Sequence, residues 1–191
     1  MAHYKTLRSL VVFAAFTTAV TCSYNNRQQQ PLMTSPSPSN LEVHIEPGTT
    51  ESTLQVKISN THKDTPLTIL TWDAPFDNVT RDSGSYHVQP ASPPDADELK
   101  SPGVKVKRKM PAPRDDLLEI APQGHVTREL PLKSRWLPSD GERYKVWAKG
   151  PWRAIWAKTM AEVTDEDLTS TRGDFGIGHT YETNQIEIVL R

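Results

Sequence analysis

Short apolar runs that alternate with polar residues constrain the fold of this chain more than any other feature. In residues 41–46 the apolar positions are Leu41, Val43 and Ile45, and residues 53–59 repeat the pattern. Such alternation is typical of a strand with one buried face. Further short apolar runs follow, separated by turn residues: 67–72, 85–89, 104–109, 117–120, 125–130, 143–149, 152–157 and 185–190. With no long amphipathic helical pattern, the series predicts an all-β, antiparallel β-sandwich over residues 41–191.

Two segments in this series have a more specific prediction. Residues 67–72 are almost continuously apolar, which is typical of a central strand packed on both faces. One short helix is predicted at residues 164–168. Thr164 suits its N-cap, and the carboxylates of the first turn suit the positive end of the helix dipole.

The first 40 residues carry no alternation and fall into two parts. Lys5 and Arg8 precede an uncharged apolar stretch at residues 9–21, which is too short to span a bilayer comfortably and is typical of a signal peptide. We expect residues 1–23 to be a signal peptide; the alternative is an N-terminal membrane anchor. Residues 24–40 are rich in Gln, Ser and Pro and are predicted to be a disordered linker. The sequence therefore predicts a secreted, extracellular protein with no membrane attachment after signal cleavage.

Charge and cysteine content narrow the classes of function. The chain has 22 Lys and Arg against 23 Asp and Glu, a net charge of −1, so no overall field would draw it to nucleic acid. Cys22 is the only cysteine, so no intrachain disulfide can form. A lipid anchor on Cys22 is an alternative that the preceding TAVT matches poorly. The exported domain must therefore be held together by its core.

A family resemblance is carried by LEVHIEP, by LQVKISNTHKDTPLTILTWDAPFD and, later, by DLLEIAPQGHVTRELPL and YKVWAKG. These runs, within about residues 41–150, resemble the N-terminal propeptide region of fungal secreted deuterolysin-type metalloproteases. The resemblance implies an immunoglobulin-like domain with a chaperone-like or inhibitory role toward a protease. The zinc motif of those enzymes, His-Glu-x-x-His, is missing, because none of the six histidines is followed by Glu. We therefore expect a propeptide-like module without the catalytic domain, neither an enzyme nor a holder of a metal or cofactor.

Other candidate sites have a simple structural interpretation. Asp73 and Asp77 follow a buried strand and are predicted to form a turn, not a catalytic pair. The stretch GDFGIGH at residues 173–179 is predicted to be a loop, because the companion motifs of a kinase or a nucleotide site are missing. His179 and Glu182 would face opposite sides of a strand, so we expect no metal there.

Two basic or polar motifs bear on processing. In VKVKRK, the residues Lys105, Lys107 and Lys109 share one face, which predicts a solvated edge strand. The alternatives are a dibasic cleavage site at Lys107 and Arg108, or binding of polyanions. Asn78 begins the sequon NVT, which predicts a glycosylated, exposed site.

Tryptophan is concentrated in residues 136–156, where four of the five occur. Trp147, Trp152 and Trp156 are the candidate binding surface, because a row of exposed aromatic rings can stack on sugars. The alternative is that these rings fill the core. The sequence thus predicts a secreted, non-catalytic binding module. Its partner would be an extracellular protein such as a protease or, alternatively, a cell-wall polysaccharide.

Overall fold

The computed structural model describes residues 35–77, 79–175 and 178–191. Ten strands lie within these ranges: β1 Leu41–Pro47, β2 Thr53–Asn60, β3 Leu67–Leu70, β4 Tyr86–Pro90, β5 Leu117–Ile120, β6 His125–Pro131, β7 Arg143–Pro151, β8 Ile155–Trp156, β9 Thr180–Glu182 and β10 Ile186–Val189. Helices and turns are few: α1 Thr80–Ser83, α2 Asp165–Ser170, and 3-10 turns at Pro38–Asn40, Arg114–Asp116 and Met160–Glu162.

All strand pairs are antiparallel and form three sheets. In the first sheet β2 lies between β1 and β6. In the second, β7 lies between β4 and β10, and β9 also pairs with β7. In the third, β3 lies between β5 and β8, the central position that was predicted for it.

Burial follows the alternation in the strands. In β7 the buried residues are Tyr144, Val146, Ala148 and Gly150, while the residues between them point outward. The inward side chains of the first and second sheets meet in one hydrophobic cluster, which includes Ile45, Val56, Ile58, Val88, Val146 and Ile188. Burying one such side chain contributes about 1.5–3 kcal/mol. The predicted antiparallel sandwich is confirmed.

A second, smaller cluster lies against the third sheet. It contains Leu70, Trp72, Ala112, Leu117, Ala154, Trp156, Val163 and Leu168. Helix α2 contributes Leu168 and begins where predicted, because Thr164 and Asp167 form a reciprocal cap. Thr164 Oγ1 accepts from Asp167 N at 3.2 Å, and Asp167 Oδ2 accepts from Thr164 N at 2.8 Å. This cap satisfies donors that the first turn would otherwise leave free.

The basic run at residues 104–109 is not the edge strand that was predicted. Residues 91–113 contain neither helix nor strand. Val104 N donates to Asp82 O at 2.7 Å, but no neighbouring strand continues that pairing. Alternation allows a strand, whereas only a ladder of hydrogen bonds to another strand makes one.

Other differences from the sequence-based expectations are smaller. The linker was predicted to extend to residue 40, yet residues 35–40 are described, and Thr61 N donates to Asn40 O at 2.8 Å. Helix α1, a single turn, and the short strand β9 were not predicted. The signal peptide at residues 1–23, most of the linker and the sequon residue Asn78 lie outside the described residues. Within the described ranges no helix has the length and apolar character needed to cross a membrane.

Candidate functional site

The predicted sugar-stacking surface of Trp147, Trp152 and Trp156 does not exist as a row. Trp152 is 2% exposed and Trp156 1% exposed. The ring of Trp152 packs on Tyr181 with centroids 5.0 Å apart, and Trp156 pairs with Thr68 of the central strand β3. The two rings share no face, because Trp152 belongs to the main hydrophobic cluster and Trp156 to the second, smaller one. The interpretation as core residues was correct for both.

Trp147 is the member of that set that reaches the surface. It lies half-buried on the outer face of β7 and stacks on His87 of β4, with centroids 5.2 Å apart and ring planes 9° apart. His87 Nδ1 lies 2.6 Å from Glu98 Oε1. The stacked rings of Trp147 and His87 are therefore a candidate contact for a ligand on the outer face of the second sheet.

The carboxylates of the motif TILTWDAPFD form a turn, as predicted. Asp73 has a positive φ of 62°, and its amide donates to Asp77 Oδ2 at 2.9 Å. Asp77 also accepts from Val79 N at 3.2 Å and pairs with the guanidinium of Arg108. A carboxylate bound in this way closes a corner and is not available as an acid or base.

Asp82 joins three separate parts of the chain. Its carboxylate accepts from the hydroxyl of Ser134 and from Trp136 Nε1, the latter at 3.1 Å. Its backbone oxygen accepts from Val104 N at 2.7 Å and from Ser101 Oγ at 3.3 Å. These bonds bring α1, residues 101–104 and the loop after β6 together.

A groove of about 520 Å³ opens where these parts meet. We call it the basic groove, and its lining residues are Asp82, Pro102, Val104, Lys133, Ser134, Arg135 and Trp136. The half-buried ring of Trp136 and the side chains of Pro102 and Val104 provide an apolar wall. The single carboxylate is already satisfied by two donors, so the rim carries the positive charge of Lys133 and Arg135.

The positive charge continues along the adjoining residues 104–110, which we call the lysine segment. Lys133 and Arg135 in the groove, and the three lysines at 105, 107 and 109, form no ion pair with any described carboxylate. Arg108 differs, because it binds Asp77 and lies 5.5 Å over the ring of Trp72. The chain as a whole has a net charge of −1, so these five cations, unpaired among the described residues, make one surface locally positive.

The lysine segment also exposes apolar side chains. In the described ranges the large hydrophobic residues that are exposed are Val104 at 46%, Val106 at 41%, Met110 at 47% and Met160 at 40%. Three of these four lie in the lysine segment, interleaved with its lysines. Contiguous exposed apolar surface next to unpaired charge is characteristic of a binding surface.

Histidines and tyrosines with distinctive surroundings have structural roles. Buried His62 accepts from Thr65 N at 3.0 Å through Nδ1 and shapes the turn after β2. Burial raises the pKa of Tyr86 and of Tyr181 well above the usual range, and their hydroxyls donate to backbone oxygens at 3.2 Å. At neutral pH these phenols stay protonated and serve as donors inside the core.

His179 and Glu182, for which the sequence predicted no metal site, lie at the surface. His179 and Glu182 are both exposed, and Glu182 pairs with Lys149 at 3.2 Å. Over residues 35–77, 79–175 and 178–191, no group of three His, Cys, Asp or Glu is placed to hold a metal ion.

The basic groove has a weak signal in the sequence. LKSRW at residues 132–136 combines two cations with a tryptophan, as VKVKRK combines cations with valines. Each motif alone is common. Their proximity depends on Asp82, which is 54 residues away from Trp136 in the chain, so local patterns could not reveal it.

Comparisons with known proteins agree with this architecture. A family model of an immunoglobulin-like domain matches residues 40–190. A protein of Arthroderma benhamiae described as an uncharacterized secreted protein is 26% identical over 137 residues, which are 71% of this chain and 67% of that protein. The match supports the immunoglobulin-like fold that the deuterolysin resemblance implied. The family that it identifies is the immunoglobulin-like domain, not the deuterolysin propeptide. Because the match spans most of the sequence, this chain belongs to the immunoglobulin-like domain family.

Proposed function

We propose that the protein is an exported, non-catalytic binding module that docks an acidic, partly apolar segment of an extracellular protein on its basic groove and lysine segment. The observation that carries the proposal is the set of exposed valines and Met110 interleaved with lysines that have no described carboxylate partner. The similarity to a secreted protein and the signal-peptide pattern support export.

Charge complementarity favours an acidic partner. Unpaired cations on one surface steer an oppositely charged molecule into contact and speed association. Each exposed pair with a carboxylate is worth only about 0.2–1 kcal/mol. The apolar wall of Trp136, Pro102 and Val104 must therefore supply much of the affinity, as buried anchors do in other interfaces.

The exposed apolar side chains of the lysine segment favour a polypeptide as the partner. Val104, Val106 and Met110 are aliphatic and offer no flat ring for a sugar. Apolar side chains placed between Asp or Glu would match both the wall and the rim.

The engagement of the polar groups supports a non-catalytic role. Asp77 is bound by two backbone amides and by Arg108, Asp82 by Ser134 and Trp136, and His62 by turn amides. A general acid or base needs a proton-accepting atom free to reach a substrate. These groups hold the backbone in place.

A narrower form of the proposal makes the partner a protease that the module chaperones or inhibits. The sequence resemblance to deuterolysin propeptides supports it. A metalloprotease of that type with an acidic surface would be the relevant probe. The second candidate function is binding of a cell-wall polysaccharide, which the half-buried Trp147 on the second sheet favours.

Binding of poly-L-glutamate to the full chain tests the main proposal, with chitin and a neutral β-glucan as the comparison ligands. Lys133→Gln combined with Arg135→Gln should weaken poly-L-glutamate binding about tenfold or more, because two rim charges are lost. The matched control is Lys63→Gln with Arg172→Gln, an equal charge change outside the groove, which should leave binding almost unchanged. Equal weakening by both pairs would reject the groove. Retention on a glucan that Trp147→Ala abolishes would instead support the polysaccharide candidate.

A further inference from the structure

The lysine segment contains the one place in the sequence where basic residues are adjacent, at Lys107, Arg108 and Lys109. We propose that the peptide bond after Arg108 is a processing site for a secretory serine endoprotease specific for paired basic residues. The product is a two-chain domain that stays associated without a covalent link. This inference does not depend on the nature of the binding partner.

The backbone around the bond is free to enter a protease. Residues 105–111 make no backbone–backbone hydrogen bond with any described residue, whereas Val104 N donates to Asp82 O at 2.7 Å and Ala112 N to Leu168 O at 3.1 Å. Six of these seven residues are exposed. Proteases bind substrates in extended form through backbone groups, so an exposed segment without internal hydrogen bonds is the preferred site of cleavage. Residues 105–111 form no strand, so no ladder of hydrogen bonds to a neighbouring strand protects the bond.

One contact regulates access. The side chain of Arg108 is 24% exposed, pairs with Asp77 and lies over Trp72. It must leave Asp77 before it can enter the acidic pocket of the protease. Local opening of a single side-chain contact is a small event compared with unfolding the domain. The ion pair therefore slows cleavage and does not prevent it.

Hydrolysis adds one water molecule across the bond between Arg108 and Lys109. The bond from the Arg108 carbonyl carbon to the Lys109 nitrogen breaks, Arg108 gains a carboxylate, and Lys109 gains a free amino group. No strand is interrupted, because the nearest elements are β4 before the bond and the 3-10 turn Arg114–Asp116 after it.

The two chains would stay together because every sheet contains strands from both sides of the bond. The first sheet joins β1 and β2 to β6, the second joins β4 to β7, and the third joins β3 to β5 and β8. The core cluster likewise combines Phe76 and Tyr86 with Trp152. With one cysteine in the sequence, noncovalent packing alone must hold the pieces.

The test incubates the full chain, in native buffer, with a purified subtilisin-like endoprotease of this specificity, followed by mass spectrometry and size-exclusion chromatography. We expect one cut, between Arg108 and Lys109, and two fragments that co-elute natively and separate in denaturant. Lys107→Ala should block the cut while leaving the contact of Arg108 with Asp77 in place. Asp77→Asn should speed the cut by about threefold or more, because the ion pair is lost.

A matched control moves the motif into a strand. Thr127→Lys, combined with Arg108→Ala, places a Lys-Arg pair in β6, where Thr127 is exposed but pairs with Lys57 of β2. We expect no cleavage there. The proposal is overturned if the wild type resists the protease while a peptide of residues 103–112 is cut, if the first cut lies elsewhere, or if the fragments separate natively.

Discussion

The basic groove and the end of the domain around α2, residues 156–171, which we call the α2 end, both contain a tryptophan, cations and carboxylates. The two regions differ in whether these side chains are buried and paired. Trp156 is 1% exposed in the α2 end, whereas Trp136 is half-buried in the groove wall. Lys158 donates to Asp167 at 2.7 Å, whereas Lys133 and Arg135 have no described carboxylate partner. Lys158 and Asp167 of the α2 end bind each other, whereas the two cations of the groove are the ones that our proposal assigns to a partner.

Local hydrogen bonds explain why the α2 end is self-contained. Glu162 accepts from Thr159 N at 2.9 Å and from Thr159 Oγ1 at 2.7 Å, and these bonds lower the pKa of its carboxyl. The hydrogen bond from Lys158, with help from Thr164, lowers the pKa of Asp167 to about 2. Carboxylates that cap backbone amides stabilise short helical turns. In the groove, Lys133 and Arg135 form no equivalent bond with a described carboxylate.

The largest effect should come from exchanging the two tryptophans for alanine. Trp156→Ala should cost about 3–5 kcal/mol of unfolding free energy, because it leaves a cavity in the second cluster. Trp136→Ala should cost about 1–2 kcal/mol, because its ring is half-buried and its loss frees Asp82. Chemical denaturation of both variants measures the difference. Equal losses would remove the distinction between core and groove.

Trp156→Phe refines the same comparison. Trp156 Nε1 is buried with no hydrogen-bond partner among the described atoms, so the tryptophan itself carries a penalty of about 1–3 kcal/mol. Phe removes that donor and keeps most of the apolar volume. We expect this variant to lose much less stability than Trp156→Ala in the same denaturation experiment, and a loss as large as that of Trp156→Ala would contradict the account.

Charge reversal in the groove should separate binding from stability. Lys133→Glu with Arg135→Glu should weaken poly-L-glutamate binding by about 30-fold, which corresponds to about 2 kcal/mol. The unfolding free energy should change by no more than about 0.5 kcal/mol, because both side chains are exposed. Titration calorimetry and denaturation on the same samples measure the two quantities. A large loss of stability would show that these charges hold the fold.

Asp167→Asn should show the reverse pattern. Removal of the carboxylate weakens its bonds to Lys158 and to Thr164 N, at a cost of about 1 kcal/mol after allowance for solvent screening. Poly-L-glutamate binding should not change. A thermal denaturation scan together with the binding assay tests both parts, and stronger binding in this variant would place the polyanion near α2, where one negative charge has been removed.

The pH dependence of stability should identify the same residue. Because folding lowers the pKa of Asp167 from 3.8 to about 2, its contribution is present above about pH 4 and is lost as the pH falls through about 2. The stability difference between wild type and Asp167→Asn should therefore shrink between about pH 4 and about pH 2. These limits correspond to the pKa of Asp167 in the unfolded and in the folded chain. Denaturation curves at several pH values provide the comparison, and a difference that is constant down to pH 2 would contradict it.

The strands were largely predictable because burial of one face leaves a local record in the sequence. Residues 41–46 alternate and form β1, and the Thr164 cap lies next to the helix that it starts. The lysine segment alternates equally well and forms no strand, because pairing depends on a neighbour that the sequence does not specify. Alternation predicted a common face for Trp152 and Trp156, but residues 152–154 form no strand and the two rings are buried in different clusters. The groove could not be predicted, because it depends on a hydrogen bond between Asp82 and Trp136, which are far apart in the sequence.

The most direct test of the groove follows the indole N–H signals of the five tryptophans by ¹H–¹⁵N NMR as poly-L-glutamate is added. The Trp136 signal should shift, because its Nε1–H donates to Asp82 in the groove lining. The signals of Trp152 and Trp156 should stay in place, because both rings lie in the core. A saturable shift of Trp136 would support the basic groove as the binding surface. A shift of Trp147 alone, or no shift at saturation, would contradict it.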